Sequence, residues 1–216
     1  MSFCPTYSTD STNNIPINPH FLFNTLQLIS LKAYEYDAIQ VCDMIQSLGY
    51  MLESNLHSGD KNIYSLREEI EYISHYARII KYKYADKIDI QFCIPDDLLN
   101  CKIPKSLIQP FVENSVRHGL VKKNIPGRIL LTIEKKENEL IITIVDDGVG
   151  IRPDILRVIL QENPMISDCD QGFHHIGLIN IRKRIRILYG KKYGFTIKSH
   201  LYKGTVATIR IPCEYN

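Results

Sequence analysis

The stretch from Pro104 to Leu120 reads P-K-S-L-I-Q-P-F-V-E-N-S-V-R-H-G-L. Taken as a helix, it carries Leu107, Val112 and Val116 among its apolar positions, with Gln109, Glu113, Asn114, Arg117 and His118 set between them. Glu113 and Arg117 are one turn apart, as are Asn114 and His118, so each pair shares a helical face. A carboxylate, an amide and cations therefore occupy adjacent lanes of one element.

Toward the C-terminus, Val145 to Ile151 reads V-D-D-G-V-G-I, and Ile176 to Ile185 reads I-G-L-I-N-I-R-K-R-I. Lys203-Gly204-Thr205 then precedes the last apolar run. Asp146 ends a hydrophobic strand, where a buried carboxylate can accept a hydrogen bond from an adenine amino group. Glycines behind it allow a sharp turn and close approach to a ligand, although Asp and Gly also make ordinary turns. Gly177 opens a helix whose first N–H groups can meet a phosphate. Asn114 can offer an oxygen to Mg2+. Glu113 reads as a general base, as a group behind one, or as a paired surface carboxylate. Each signal is weak by itself; their order along the chain is specific. No G-x-x-x-x-G-K-[ST] occurs, which excludes a P-loop. The H-R-D and D-F-G motifs of eukaryotic protein kinases are missing too.

From about Ile88 to Pro212 this ordered set resembles the ATP-binding domain shared by sensor histidine kinases, type II topoisomerases, the Hsp90 chaperone and MutL, the GHKL type. The resemblance implies ATP and Mg2+ as ligands. It implies that Asn114 holds Mg2+, that Glu113 and His118 flank the phosphates, and that Asp146 binds adenine. Gly148 and Gly150 then shape the base pocket, Gly177 and Leu178 form a lid hinge, and Thr205 lies near the adenine-binding carboxylate. One departure stands out. Phe173-His174-His175 precede Ile176 where related kinases often show G-x-G, so two lid glycines are lost.

The rest of the chain sets the frame. Its 216 residues, 44% hydrophobic and 23% charged, describe an ordinary soluble globular protein of one large or two small domains. A net charge of +2 gives no field that argues for nucleic acid. Basic residues at Arg182, Lys183, Arg184 and Arg186 fit the solvated side and C-terminal dipole of a helix. The six cysteines form no C-x-x-C pair and read as reduced, mostly buried thiols. Cys169, His174 and His175 match no common zinc spacing. No apolar run is long enough to span a bilayer, and no signal peptide is evident.

Residues 1–16 are polar and read as a tail. Asn18 then suits an N-cap and Pro19 the first helical position. His20, Asn24, Gln27 and Leu31 share one stripe, with Leu22, Phe23, Leu26 and Ile29 opposite. So broadly apolar a helix belongs in a bundle. Asp37 to Leu56 repeats the helical rhythm with Gly49 as a weak point, and the two helices read as a hairpin that dimerises into four helices. Ser65-Leu66-Arg67-Glu68 is a capping box that opens a helix reaching about Tyr84. Ile88 to Phe92 alternates as a strand, and further strands are read near Arg128–Glu134, Leu140–Asp146, Phe195–Ser199 and Thr205–Ile211. Pro153 to Leu160 and Ile176 to Tyr189 read as helices. The fold class is α+β: an N-terminal dimerising hairpin, then an α/β sandwich whose mixed, mostly antiparallel sheet is covered by helices. Three regions follow: a tail over 1–16, a helical region over 17–84 and an ATP-binding domain over 85–216.

I-N-P-H-F-L-F-N-T-L, Ile17 to Leu26, closely resembles the phosphoacceptor box of bacterial sensor kinases related to LytS and YesM. In that subfamily the box precedes a hairpin, a connecting helix with Tyr and Lys/Arg-aromatic positions, and Q-P-x-V-E-N. Tyr76, Lys83-Tyr84 and Gln109 to Asn114 stand in those places here. The resemblance implies that His20 accepts phosphate from ATP and passes it to an aspartate on a response regulator receiver domain. Neutral imidazole is a competent nucleophile for that step, and Asn24, one turn on, could hold the ring or the new phosphate. Many related kinases place an acid directly after the histidine; Phe21 stands there in this chain. A homodimer, a cytoplasmic location and a membrane sensor segment outside this chain are further implications. Two other readings share the motifs: a dimeric scaffold that has lost transfer, and an ATP-driven clamp that releases free phosphate.

Overall fold

The computed structural model describes residues 19–56, 62–123, 125–161 and 176–215. Asn18, Cys4, Cys169 and the Phe173–His175 departure lie outside them. Helix α1 (Pro19–Glu35) turns at Tyr36 and Asp37 and returns as α2 (Ile39–Leu56). Asp37 adopts a left-handed φ of 53°, and Ala38 N–H donates to the Ala33 carbonyl at 2.9 Å, which closes the hairpin in very few residues. Strand β1 (Ile63–Ser65) leads into α3 (Leu66–Lys83). The predicted capping box is present: Ser65 Oγ accepts from Glu68 N–H at 3.3 Å, and Glu68 Oε2 accepts from Ser65 N–H at 2.7 Å.

Helix α3 packs back along α2. Tyr50 Oη donates to Glu71 at 2.9 Å, Tyr82 Oη donates to Asp43 at 2.8 Å, and the Tyr50 and His75 rings stack at 4.2 Å between centroids. By contrast, α1 packs mainly on α2 and remains open: Phe21, Leu28 and Leu31 are 67%, 59% and 58% exposed in the single chain.

The remaining elements are β2 (Ile88–Cys93), β3 (Cys101–Pro104), α4 (Gln109–Asn114), β4 (Gly127–Lys136), β5 (Glu139–Asp146), α5 (Pro153–Leu160), α6 (Ile176–Tyr189), β6 (Gly194–His200), β7 (Gly204–Pro212) and β8 (Glu214–Tyr215). A five-stranded sheet runs in the order β2-β4-β5-β7-β6, parallel only between β2 and β4. Alternation sends Leu140, Ile142, Ile144 and Asp146 of β5 to one face, all buried. Phe111 of α4 and Ile181 and Ile185 of α6 belong to the same core, and α5 adds Ile159. A mixed, mostly antiparallel sheet covered by helices is the expected α+β class.

Three differences from the sequence reading carry information. The stretch from Pro104 to Leu120 is not one helix. Pro104 closes β3, Ser106 takes a φ of 51°, and the helix starts only at Gln109. Pro110 lacks an N–H and fits only in a first turn, which keeps the start late. From Ser115 to Leu120 the helix widens into a π turn. Second, a small sheet in the order β1-β3-β8 was not foreseen, because strands this short carry no periodicity. Third, Cys42 and Cys101 are buried as expected, but Cys93 is exposed on the edge strand β2.

Ser65→Ala removes the reciprocal cap of α3. Urea unfolding followed by circular dichroism should show a loss of about 1 kcal/mol without a change in slope.

Candidate functional site

The site is built around one buried charge. Asp146 ends β5, pairs with Thr205 across β7, and is 5% exposed. Its Oδ2 accepts from Ser115 Oγ at 2.8 Å, and its Oδ1 accepts from Gly148 N–H at 3.0 Å. Burial raises its pKa above the ordinary carboxylate value; the Ser115 hydroxyl and the Gly148 and Thr205 amides pull the other way.

The turn behind Asp146 is locked by close approach. A Cβ on Gly148 would lie 2.6 Å from the Gly119 backbone. Gly150 has a φ of +73°, and a side chain there would collide with the His200 carbonyl. Val149 N–H donates to the Gly119 carbonyl at 3.1 Å, and Tyr202 N–H donates to the Val149 carbonyl at 2.8 Å. The D-D-G-V-G segment is thus stitched to the π turn on one side and to the β6–β7 connection on the other.

These elements enclose a cavity. Asn114, Ser115, His118 and Gly119 line it from α4 and the π turn, Asp146 and Gly150 from the glycine turn, and Thr205 from β7. Phe111, Ile144, Ile151, Ile159, Leu178, Ile197 and Ala207 supply apolar walls. Flat apolar walls with a carboxylate at one end suit a purine that has two hydrophobic faces and one amino donor. The donor set therefore fits an adenine nucleotide.

The structure brings Asn114, His118, Asp146, Gly150, Leu178 and Thr205 to one cavity, with Gly148 buried directly behind it. Glu113 is not part of the cavity wall. Its Oε1 accepts from Gln109 Nε2 at 2.7 Å, and that same nitrogen lies 3.0 Å from Tyr72 Oη of α3. Gly177 is exposed, with open space around it. His20 and Asn24 lie on the exposed hairpin helix α1, where Asn24 Nδ2 is 3.2 Å from His20 Nδ1. Among the described residues no three His, Cys, Asp or Glu side chains gather as a metal cluster.

Sequence reading missed Ser115, Gly119 and Ser199. Ser115 directly follows Asn114, and Gly119 sits in R-H-G, so both lay in the decisive stretch; a straight helix hid that they face Asp146. Ser199 Oγ accepts from Ile151 N–H at 2.8 Å, donates to the Gly204 carbonyl at 3.0 Å and lies 2.9 Å from Thr205 Oγ1. It ties the glycine turn to β7.

Comparison with known proteins agrees with this geometry. The model of the histidine kinase-, DNA gyrase B- and HSP90-like ATPase family matches residues 102–215, and a histidine kinase model matches residues 14–88. The chain belongs to the histidine kinase-, DNA gyrase B- and HSP90-like ATPase family. Its relatives there are sensor histidine kinases of the LytS and YesM kind. Sensor histidine kinase YesM of Bacillus subtilis is 34% identical over 92% of this chain and 32% of its own length. Sensor protein LytS of Oceanobacillus iheyensis is 31% identical over 91% of this chain and 33% of its own length. The chain thus spans about a third of the curated relatives it matches. Among solved structures, the histidine kinase domain of the Erythrobacter litoralis EL346 blue-light activated kinase aligns with a TM-score of 0.50 at 14% identity. That alignment covers 91% of this chain and 86% of the other, and supports the fold. No described helix is long and apolar enough to cross a membrane.

Asp146→Asn separates binding from stability. An amide has one acceptor oxygen, so the Ser115 and Gly148 donors and an adenine amino group cannot all be met. ATP affinity measured by calorimetry should fall by about tenfold or more. Because folding raises the Asp146 pKa, the native chain keeps this proton where the unfolded chain has released it. Its contribution to stability therefore falls as pH rises from the ordinary carboxylate value through the raised one. The variant should lose that slope and melt no lower than the parent at neutral pH.

Proposed function

We propose that this chain is the kinase portion of a two-component sensor histidine kinase: it binds Mg-ATP, phosphorylates itself on His20 and passes the phosphate to an aspartate of a response regulator. The observation that carries the reading is the convergence of Asp146, Asn114 and His118 on one cavity, in a chain whose helical arm bears His20 and Asn24.

The residues divide the work. Asp146 accepts from the adenine amino group while the apolar walls exclude water from the ring faces. Asn114 would hold Mg2+ through its side-chain oxygen, and His118, which lines the same cavity, would meet the phosphates. Bound Mg2+ would neutralise phosphate charge during transfer. Gly177 and Leu178, in the first turn of α6, are the lid hinge of this reading, and Leu178 forms part of the apolar wall. On the arm, Asn24 orients the ring. Its Nδ2 lies within hydrogen-bond reach of Nδ1 and holds the neutral imidazole, the form that can act as nucleophile. Glu113, held by Gln109 on the side facing α3 and outside the cavity wall, acts from behind the site.

The open apolar surface of α1 and α2 fits a second copy of the chain, which would complete a four-helix bundle. The tail, arm and ATP-binding unit then act as three regions, over 1–16, 17–84 and 85–216.

Incubation with γ-labelled ATP tests the reading. Acid-labile label should appear on the protein, vanish in His20→Gln and fall by about tenfold in Asn24→Ala. Steady release of free phosphate that is independent of His20 would instead identify an ATP-driven clamp.

A further inference from the structure

Glu69 is one of three buried polar residues in the described chain, with Ser47 and Asp146, and it lies outside the nucleotide cavity. It sits on α3 and is 3% exposed. Its Oε1 accepts from Ile108 N–H at 2.6 Å and from Gln109 N–H at 3.0 Å, and the Leu107 amide dipole also favours the charged carboxylate. Those amides are donors that α4 cannot satisfy internally at its start. Ile108, at the N-cap position, has no side chain able to cap them.

The grip extends further along α4. Tyr72, one turn after Glu69, places its hydroxyl 3.0 Å from Gln109 Nε2, which also donates to Glu113 at 2.7 Å. Asn55, in the last turn of α2, lines the same small pocket as Tyr72 and Gln109. On the other side, Arg184 of α6 donates to the Ser106 carbonyl at 3.2 Å, in the turn before α4, and its charge acts on Glu69. Burial raises the Glu69 pKa, while the three amides and Arg184 oppose that rise.

We infer that Glu69 is a positioning residue that sets the start of α4 from α3, and so aims Glu113 and Asn114 for transfer to the phosphoacceptor. This rests on the kinase reading above. The choice of group supports it. A Ser or Thr at position 108 would offer α4 a local cap without burying a charge. A cap supplied from α3 instead makes the placement of α4 follow the helix on which the His20 arm is packed.

Four proteins test this: the full chain, Glu69→Ala, Glu69→Gln and Tyr72→Phe. Labelling of His20 is measured at saturating Mg-ATP, ADP affinity by calorimetry, and amide exchange at Ile108 and Gln109. Glu69→Ala should label about ten- to a hundredfold more slowly, with ADP affinity within about threefold of the parent. Glu69→Gln keeps an oxygen for the two amides and should recover most of the rate. Tyr72→Phe should slow labelling by a smaller factor with affinity unchanged. The Ile108 and Gln109 amides should exchange faster in Glu69→Ala only. Parent-like labelling in Glu69→Ala overturns the inference, as does equal loss of rate and affinity that Glu69→Gln does not repair. If Glu69→Ala does not fold, a parent rate in Tyr72→Phe overturns it. If the parent itself never labels His20, the kinase reading fails separately, and unchanged amide exchange in Glu69→Ala then refutes the positioning role.

Discussion

A carboxylate buried at the end of a central strand organises this molecule. Asp146 is costly to place there, because its charge is removed from water. The surroundings are arranged to offset that cost: Ser115 donates from the π turn and Gly148 from the following turn. Each donor arrives only because backbone is close to backbone. Gly148 must lack a side chain to sit against Gly119, and Gly150 must adopt its positive φ beneath His200. The sheet supplies the floor, since β5 lies between β4 and β7, with strands on both flanks beyond. The cavity is thus a consequence of satisfying one acid, and its remaining acceptor capacity is what a purine amino group can use.

A second buried carboxylate, Glu69, serves a different joint. Helix α3 contacts the hairpin through Asp43, Ser47 and Tyr50, and contacts α4 through Glu69 and Tyr72. The two halves that a phosphotransfer needs, one carrying the imidazole and one carrying the nucleotide cavity, therefore share a single helix.

Much of this was legible in the chain. The apolar runs of β4, β5 and β7, the Ser65–Glu68 box and the order of glycine and acidic motifs led to the α+β class and to six of the cavity residues. What escaped has physical reasons. A π turn shares its first residues with any helix, so the facing of Ser115 and Gly119 toward Asp146 could not be read from spacing. Strands of two to four residues have no period to detect. In sequence Glu69 is only the second of two acids in the first turn of α3, where acids are favoured by the dipole. Only the fold brings its carboxylate to amides almost forty residues away. Glu113 was grouped with the phosphate site by its neighbour Asn114, yet consecutive helical residues point apart, and its bonds lead toward Tyr72 instead.

The most direct measurement is a crystal structure of the chain with Mg2+ and a non-hydrolysable ATP analogue. The account places the adenine amino nitrogen about 3 Å from an Asp146 carboxylate oxygen, the base between the apolar walls, and the metal on the Asn114 oxygen. An adenine bound elsewhere, with the Asp146 carboxylate making only its Ser115 and Gly148 bonds, would contradict it.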